Sequence, residues 1–296
     1  MREEIKKIGD LMEKADYVTD PAIATSVHLA MTLRKPLLIE GHAGVGKTEV
    51  AKVMARMLDT RLIRLQCYEG LDAAQALYEW NYPKQILHIK LQERSDRPTG
   101  EKEHEIFSEE FLIRRPLLQA ITPAPKPPVL LIDEIDRADE EFEAFLLEVL
   151  SDYQVTIPEI GTITAVEPPY VILTSNRIRE LSDALRRRCL YLWVDYPGFE
   201  KEVRIVTRKV PGVNQKLARE ISKFMESLRT VRLAKLPGVA ETLDWAQALS
   251  SLHADHLDEE LVLETLGCVL KDPDDIKRVR KELAGSGMKR FVAAEG

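Results

Sequence analysis

Cysteine is scarce in this sequence, and each one stands alone. Cys67, Cys189 and Cys268 are the three cysteines in 296 residues. They are odd in number and far apart, and no CxxC or CxxxC spacing occurs. Neither a disulfide framework nor a zinc site is indicated, and separate reduced thiols of a cytosolic protein are expected. Long apolar runs are missing too. The nearest approach, Ala22 to Leu33, contains Thr25, Ser26, His28 and Thr32. It falls well short of the ~20 residues a helix needs to span a bilayer. The start, Met1 to Lys7, mixes charges of both signs and lacks the apolar core of a signal peptide, so a cytoplasmic location is expected. Positive charge is not in excess: 42 Lys and Arg face 49 Asp and Glu, a net charge of −7. That balance argues against broad binding to nucleic acid or anionic membrane. The six histidines show no metal-ligand spacing; His253 and His256 are three apart with no third ligand evident. No NKxD guanine motif occurs, which disfavours GTP.

What remains is a globular composition, 45% hydrophobic and 31% charged, on a chain long enough for about two domains. Pro36 to Glu40, Arg61 to Gln66, Val129 to Asp133, Tyr170 to Ser175 and Leu190 to Val194 read as strands. Several are nearly continuous in apolar residues, the pattern of parallel strands covered on both faces. Between them, Glu49 to Leu58 and Glu141 to Leu150 place apolar residues at helical spacing. Alternating strands and helices predict an α/β parallel sheet. After Tyr196-Pro197-Gly198 the pattern becomes helical throughout, with Pro273 at a helix start. The expected division is an α/β domain over 1–196 and a smaller all-helical domain over 197–296. Arg94 to Glu105 reads as a polar loop, Thr122 to Pro128 as a proline-rich connector and Gln154 to Ala165 as a β-hairpin.

Gly41-His42-Ala43-Gly44-Val45-Gly46-Lys47-Thr48 matches the phosphate-loop pattern, GxxxxGK followed by Ser or Thr, at every fixed position. Glycines let the backbone wrap a polyphosphate with its amides inward, and the following helix turns its positive end to the same anion. Lys47 would reach the β- and γ-phosphates and Thr48 would take one Mg²⁺ position. The motif follows a predicted strand and opens a predicted helix, as this mechanism requires. A second element, Val129-Leu130-Leu131-Ile132-Asp133-Glu134, drives a buried strand that delivers two carboxylates to the sheet edge where ligands bind. Asp133 would hold Mg²⁺, directly or through water, and Glu134 would polarise the attacking water. Neighbouring residues on a strand point opposite ways, which suits the pair to different tasks.

These residues resemble an AAA+ ATPase. The glycine loop, the strand Leu130 to Asp139 and the stretch Ile172 to Arg177 are similar to its Walker A, Walker B and sensor-1 elements. Leu181 to Arg188 resembles the segment that supplies an arginine finger. More narrowly, Tyr17 to Thr25, Pro36 to Gly41 and the insert Gln66 to Asp72 resemble the MoxR family. Leu77 to Tyr82 and Lys235 to Trp245 resemble its CoxD-like branch. The similarity runs from about residue 15 to about residue 250.

The resemblance implies an AAA+ core followed by a helical lid, with ATP and Mg²⁺ as cofactors. Asn176 would help place the attacking water, and Arg188 would reach a neighbouring subunit's ATP, with Arg186 and Arg187 as close rivals. No arginine occupies the lid stretch Gly238 to Asp244, where many relatives carry a second sensor, so lid sensing of the γ-phosphate is in doubt. The resemblance further implies a homo-oligomeric ring, a hexamer, that remodels a protein client together with a von Willebrand A-domain partner. For the CoxD-like branch the client is a molybdenum hydroxylase of the carbon monoxide dehydrogenase type. Trp80 and Tyr82 read either as a client-facing patch or as ordinary packing. Two other readings stand beside this one. Arg186-Arg187-Arg188-Cys189 beside the sensor strand keeps open a nucleic-acid-directed AAA+ protein of clamp-loader or translocase type, against which the acidic balance weighs, and a nucleotide-regulated adaptor without turnover is the third.

Overall fold

Nine runs rich in Leu, Ile, Val and Tyr form strands: β1 (Leu37–Gly41), β2 (Leu62–Gln66), β3 (Tyr78–Trp80), β4 (Leu112–Arg114), β5 (Val129–Asp133), β6 (Gln154–Ile157), β7 (Gly161–Thr164), β8 (Tyr170–Ser175) and β9 (Leu190–Val194). They belong to a computed structural model that describes residues 2–92 and 106–292. The expected polar loop Arg94 to Glu105, with His104, lies outside the described residues. Five strands make one parallel sheet in the order β2-β5-β8-β1-β9. All five positions of β1 and of β5 are buried, which explains the apolar runs Leu37 to Ile39 and Val129 to Ile132 within them. The register pairs Gln66 with Asp133 and Ile132 with Leu173, so the ends of β2, β5 and β8 come level with one another.

Contacts group the chain into two compact units. The first comprises Met1–Leu11, Pro21–Glu40 and Thr48–Leu192, and the second comprises Met12–Asp20, Gly41–Lys47 and Trp193–Gly296. In the first, Leu117, Leu118, Leu130, Ile132, Leu146 and Leu173 centre the core between the sheet and its helices. The helix Glu140–Asp152 is started by Asp139, whose carboxylate accepts the Phe142 amide. The expected hairpin forms from β6 and β7, with Ile157 opposite Gly161, whose φ of +102° suits glycine.

Strands β3 and β4 form a small antiparallel ribbon that the sequence does not announce, because three-residue strands carry no readable period. The ribbon corrects the client-facing reading of Trp80. Its indole is 7% exposed and meets Phe107 edge-on at 5.4 Å, whereas Tyr82 is 58% exposed. Trp80→Ala is therefore expected to lower stability by about 3–5 kcal/mol, as large core truncations do. Tyr82→Ala should stay within about 0.5 kcal/mol of the parent in the same denaturant titration.

In the second unit the helices Phe199–Lys209, Gln215–Leu228, Val239–Ser251, Glu259–Val269 and Pro273–Ser286 pack around Phe224, Trp245 and Phe291. Asn214, Asp258 and Asp272 cap three of them, and Pro273 opens its helix as expected. The buried Trp245 indole donates to the Thr265 hydroxyl at 2.8 Å. Glu202, fully buried, accepts two Arg229 N–H groups at 2.6 and 2.7 Å and the Thr242 hydroxyl at 2.6 Å, so the charge has full partnership. Among the described residues no helix is long and apolar enough to cross a membrane.

Candidate nucleotide site

The glycine loop spans the end of β1, the five-residue turn after it and the start of the helix Lys47–Leu58, the strand-loop-helix context its motif demands. Gly41 adopts φ +157°, and a Cβ there would stand 2.0 Å from the Val194 carbonyl oxygen. Gly44 and Gly46 sit at φ +77° and +93°, where L side chains are strained. Lys47 is buried, and its Nζ donates to the Gly41 and His42 carbonyls at 2.8 and 2.6 Å. His42 stacks on Tyr196 at 4.8 Å with planes 11° apart, and Tyr196 faces the Arg229 guanidinium at 4.9 Å. Burial raises the Tyr196 phenol above its ordinary pKa. The Gly44 carbonyl accepts the Val239 and Ala240 amides at 2.9 and 3.2 Å, the first turn of the helix Val239–Ser251. Gly238 permits this approach: a Cβ on it would lie 2.8 Å from the Gly44 Cα. Glu241 and Thr242, in the stretch where an arginine is missing, serve local bonds instead. Glu241 accepts the Gly238 amide at 2.9 Å, and Thr242 donates to Glu202.

At the end of β5 the two carboxylates separate. Asp133 is buried. Its Oδ1 accepts the Thr48 hydroxyl at 3.0 Å and the Thr174 hydroxyl at 2.5 Å, and its Oδ2 accepts Arg64 Nε at 3.0 Å and Nη2 at 2.5 Å. Glu134 lies just past the strand at φ +55°, a left-handed conformation that costs a non-glycine residue roughly 1–2 kcal/mol. This kink, rather than strand alternation, turns it away from Asp133. Its amide donates to the Thr174 hydroxyl at 2.9 Å. Its carboxylate accepts Gln66 Nε2 at 3.1 Å and Asn176 Nδ2 at 3.3 Å and pairs with Arg137 Nε at 2.7 Å. Asn176, at the end of β8, thus reaches the carboxylate that the sequence assigns to water activation.

Buried acids set the segment that follows. Asp136 Oδ2 accepts the amides of Asn176 and Ile178 at 3.0 and 2.9 Å. Glu143 accepts the Ser182 amide at 2.8 Å and pairs with Arg179, and Ser182 caps the helix Asp183–Arg188. That helix carries the three arginines. Arg188 donates to the Leu150 carbonyl at 3.4 Å, Arg186 stands over the Tyr191 ring at 6.0 Å, and Arg187 is exposed.

No motif assigns a role to Arg64, Gln66, Asp136, Arg137 or Glu143, although Asp136 and Arg137 stand within the Walker B-like stretch and Gln66 opens the insert. Polar residues closing a strand, as Arg64 and Gln66 close β2, are the one signal that points to them. The thiols take no part. Burial, with Asp133, Asp136 and Glu134 adding to it, pushes Cys67 up to about 12, and burial pushes Cys189 up to about 12. The donor set fits Mg²⁺: Thr48 and Asp133 present hard oxygens, few in number, as an ion that also takes phosphate and water ligands requires. A cationic guanidinium already rests against Asp133, so positive charge is stable there.

The model of the AAA domain of the dynein-related subfamily matches residues 36–189, half of the chain. An uncharacterized protein of Staphylococcus aureus is 25% identical over 222 residues, 72% of this chain and 75% of its own length. Another from Staphylococcus haemolyticus is 25% identical over 230 residues, 74% and 78%. Among solved structures, a mutant of RuvB from Thermotoga maritima shares the fold with a TM-score of 0.50 at 16% identity, covering 98% of this chain and 83% of that one. A protein of Cytophaga hutchinsonii described as a candidate ATPase gives 0.50 at 16%, covering 100% and 96%. This chain belongs to the AAA domain family, dynein-related subfamily, and is an ATP-hydrolysing P-loop enzyme.

Proposed function

We propose that the chain hydrolyses ATP by in-line attack of water on the γ-phosphate, and that it uses this turnover to remodel a protein client as MoxR-type ATPases do. The observation that carries the site is the Thr48 hydroxyl on Asp133 Oδ1, which ties the two motifs to one carboxylate. Gly41 to Lys47 hold the phosphates through backbone amides and the Lys47 charge. Thr48 and Asp133 hold Mg²⁺, which when bound neutralises charge on the phosphate oxygens. Glu134 accepts the proton of the attacking water, and Asn176, bonded to Glu134, orients that water. Arg188 serves a neighbouring subunit in a homo-oligomeric ring, a hexamer, and residues 197–296 act as its lid domain.

Remodelling is supported by the MoxR-like phrases from Tyr17 to Thr25, Gln66 to Asp72 and Lys235 to Trp245, together with the acidic balance of the chain. A von Willebrand A-domain partner and, for the CoxD-like phrases, a molybdenum hydroxylase client belong to the same proposal, in a cytoplasmic setting. The test is steady-state ATP turnover with an A-domain protein from the same genome added, and separately with duplex DNA at 50 and 200 mM salt (roughly the range over which phosphate contacts weaken sharply). Stimulation by the protein and none by DNA is expected. Stimulation by DNA that collapses at the higher salt would make the chain a nucleic-acid motor.

A further inference from the structure

Asp133 has no free lone pair for a metal. An ionised carboxylate offers about four acceptor sites. Two on Oδ1 take the hydroxyls of Thr48 and Thr174, and two on Oδ2 take Nε and Nη2 of Arg64. A divalent cation at this carboxylate therefore has to evict a donor. Thr174 is 1% exposed and pinned twice, since its hydroxyl also accepts the Glu134 amide. Thr48 is itself the other metal-holding residue of the motif, and its oxygen keeps lone pairs for the ion. Arg64 differs from both. Its side chain is 52% exposed against 4% for Asp133, so its guanidinium has water to move into. Its remaining described tie is to the Gln66 side-chain oxygen, at the edge of the sheet. Like charge adds to the effect, because a guanidinium within 2.5 Å of Asp133 Oδ2 repels any second cation at that oxygen.

We propose that Arg64 and a divalent cation compete for Asp133, so that Arg64 sets how much Mg²⁺ the protein needs in order to hold nucleotide. The proposal rests on the reading of Asp133 as a metal-holding residue. Arg64 is a positioning residue in this scheme: it acts through Asp133 and touches neither the phosphates nor the attacking water. Its effect is on metal demand, separate from the rate of the chemical step.

The experiment titrates Mg²⁺ against the full-length protein and reads two quantities. One is the half-saturating Mg²⁺ for equilibrium binding of a fluorescent ATP analogue. The other is the rise of the thermal midpoint with Mg²⁺ alone, which involves no turnover. Arg64→Met should lower the half-saturating Mg²⁺ by roughly 1.5- to 5-fold, the range for a half-exposed ion pair. It should also enlarge the thermal response, since Asp133 then lacks a cationic partner. Arg64→Lys, with charge but no fork, should fall between. If Arg64→Met does not fold, Arg64→Lys and Arg64→Gln carry the same comparison. An unchanged or raised half-saturation overturns the competition. Asp133→Asn separates the two ideas. If it removes the Mg²⁺ response while Arg64→Met leaves it unaltered, the metal reading stands and the competition alone is wrong. If Asp133→Asn retains the parent's response, Asp133 is no metal residue and both fail.

Discussion

Glu134→Gln is expected to bind ATP as the parent does while turnover falls by about 10²–10⁴-fold, the usual contribution of a positioned base. The substitution keeps the size and shape of the side chain and leaves the backbone at φ +55° undisturbed. It removes the charge that Gln66, Arg137 and Asn176 converge on, and with it the ability to take a proton from water. Lys47→Ala supplies the contrast. Its loss removes the cation bridging Gly41 and His42, so nucleotide affinity should drop by at least about tenfold, as charge-assisted bonds are worth. Equilibrium binding of labelled ATP, beside steady-state turnover, checks both variants. Undiminished hydrolysis by Glu134→Gln would take that residue out of the mechanism.

Arg188→Ala is expected to cost roughly 10³–10⁵ in rate, the range for an arginine finger in phosphoryl transfer. The γ-phosphoryl group spreads negative charge over its equatorial oxygens in flight, and Lys47 with a metal covers one side only. An arginine on the helix Asp183–Arg188 has a rigid mount for the other: Ser182 caps that helix and Glu143 holds the Ser182 amide. Subunit mixing checks the assignment. Lys47→Ala subunits donate a finger but hold ATP weakly, and Arg188→Ala subunits hold ATP but lack the finger. Mixed rings should regain activity that neither variant has alone. Where exchange is demonstrated and activity stays absent, the same mixture with Arg186→Ala and Arg187→Ala identifies the residue that crosses. Arg186 and Arg187 are both exposed in this chain, so each is tried in turn.

The sheet was legible because β1, β5 and β8 are apolar along nearly their whole length, and buried strands leave that mark. The glycine loop was legible for a stricter reason: at Gly41 and Gly44 no other residue type fits the backbone. The supporting residues were not. Arg64 and Gln66 meet Asp133 and Glu134 only because β2 pairs with β5, and strand order follows from the fold as a whole. Glu134 owes its direction to a single left-handed residue, which no propensity announces. Trp80 and Tyr82 are two residues apart and alike in chemistry, yet one is core and the other surface. The β3–β4 pairing decides that, and it brings residues 78–80 to 112–114 across a long stretch of sequence.

The buried thiols have a practical corollary. Burial holds the Cys67 and Cys189 thiols well above the ordinary thiol range, so little of the thiolate, the form that reacts, is present at either position at neutral pH. Cys268, on the helix Glu259–Val269, is the remaining thiol. A maleimide dye offered briefly at pH 7 should therefore mark one position per chain without any engineered cysteine. Two batches dyed with a donor and an acceptor fluorophore would then report by energy transfer when subunits trade places, giving the mixing experiment its own clock.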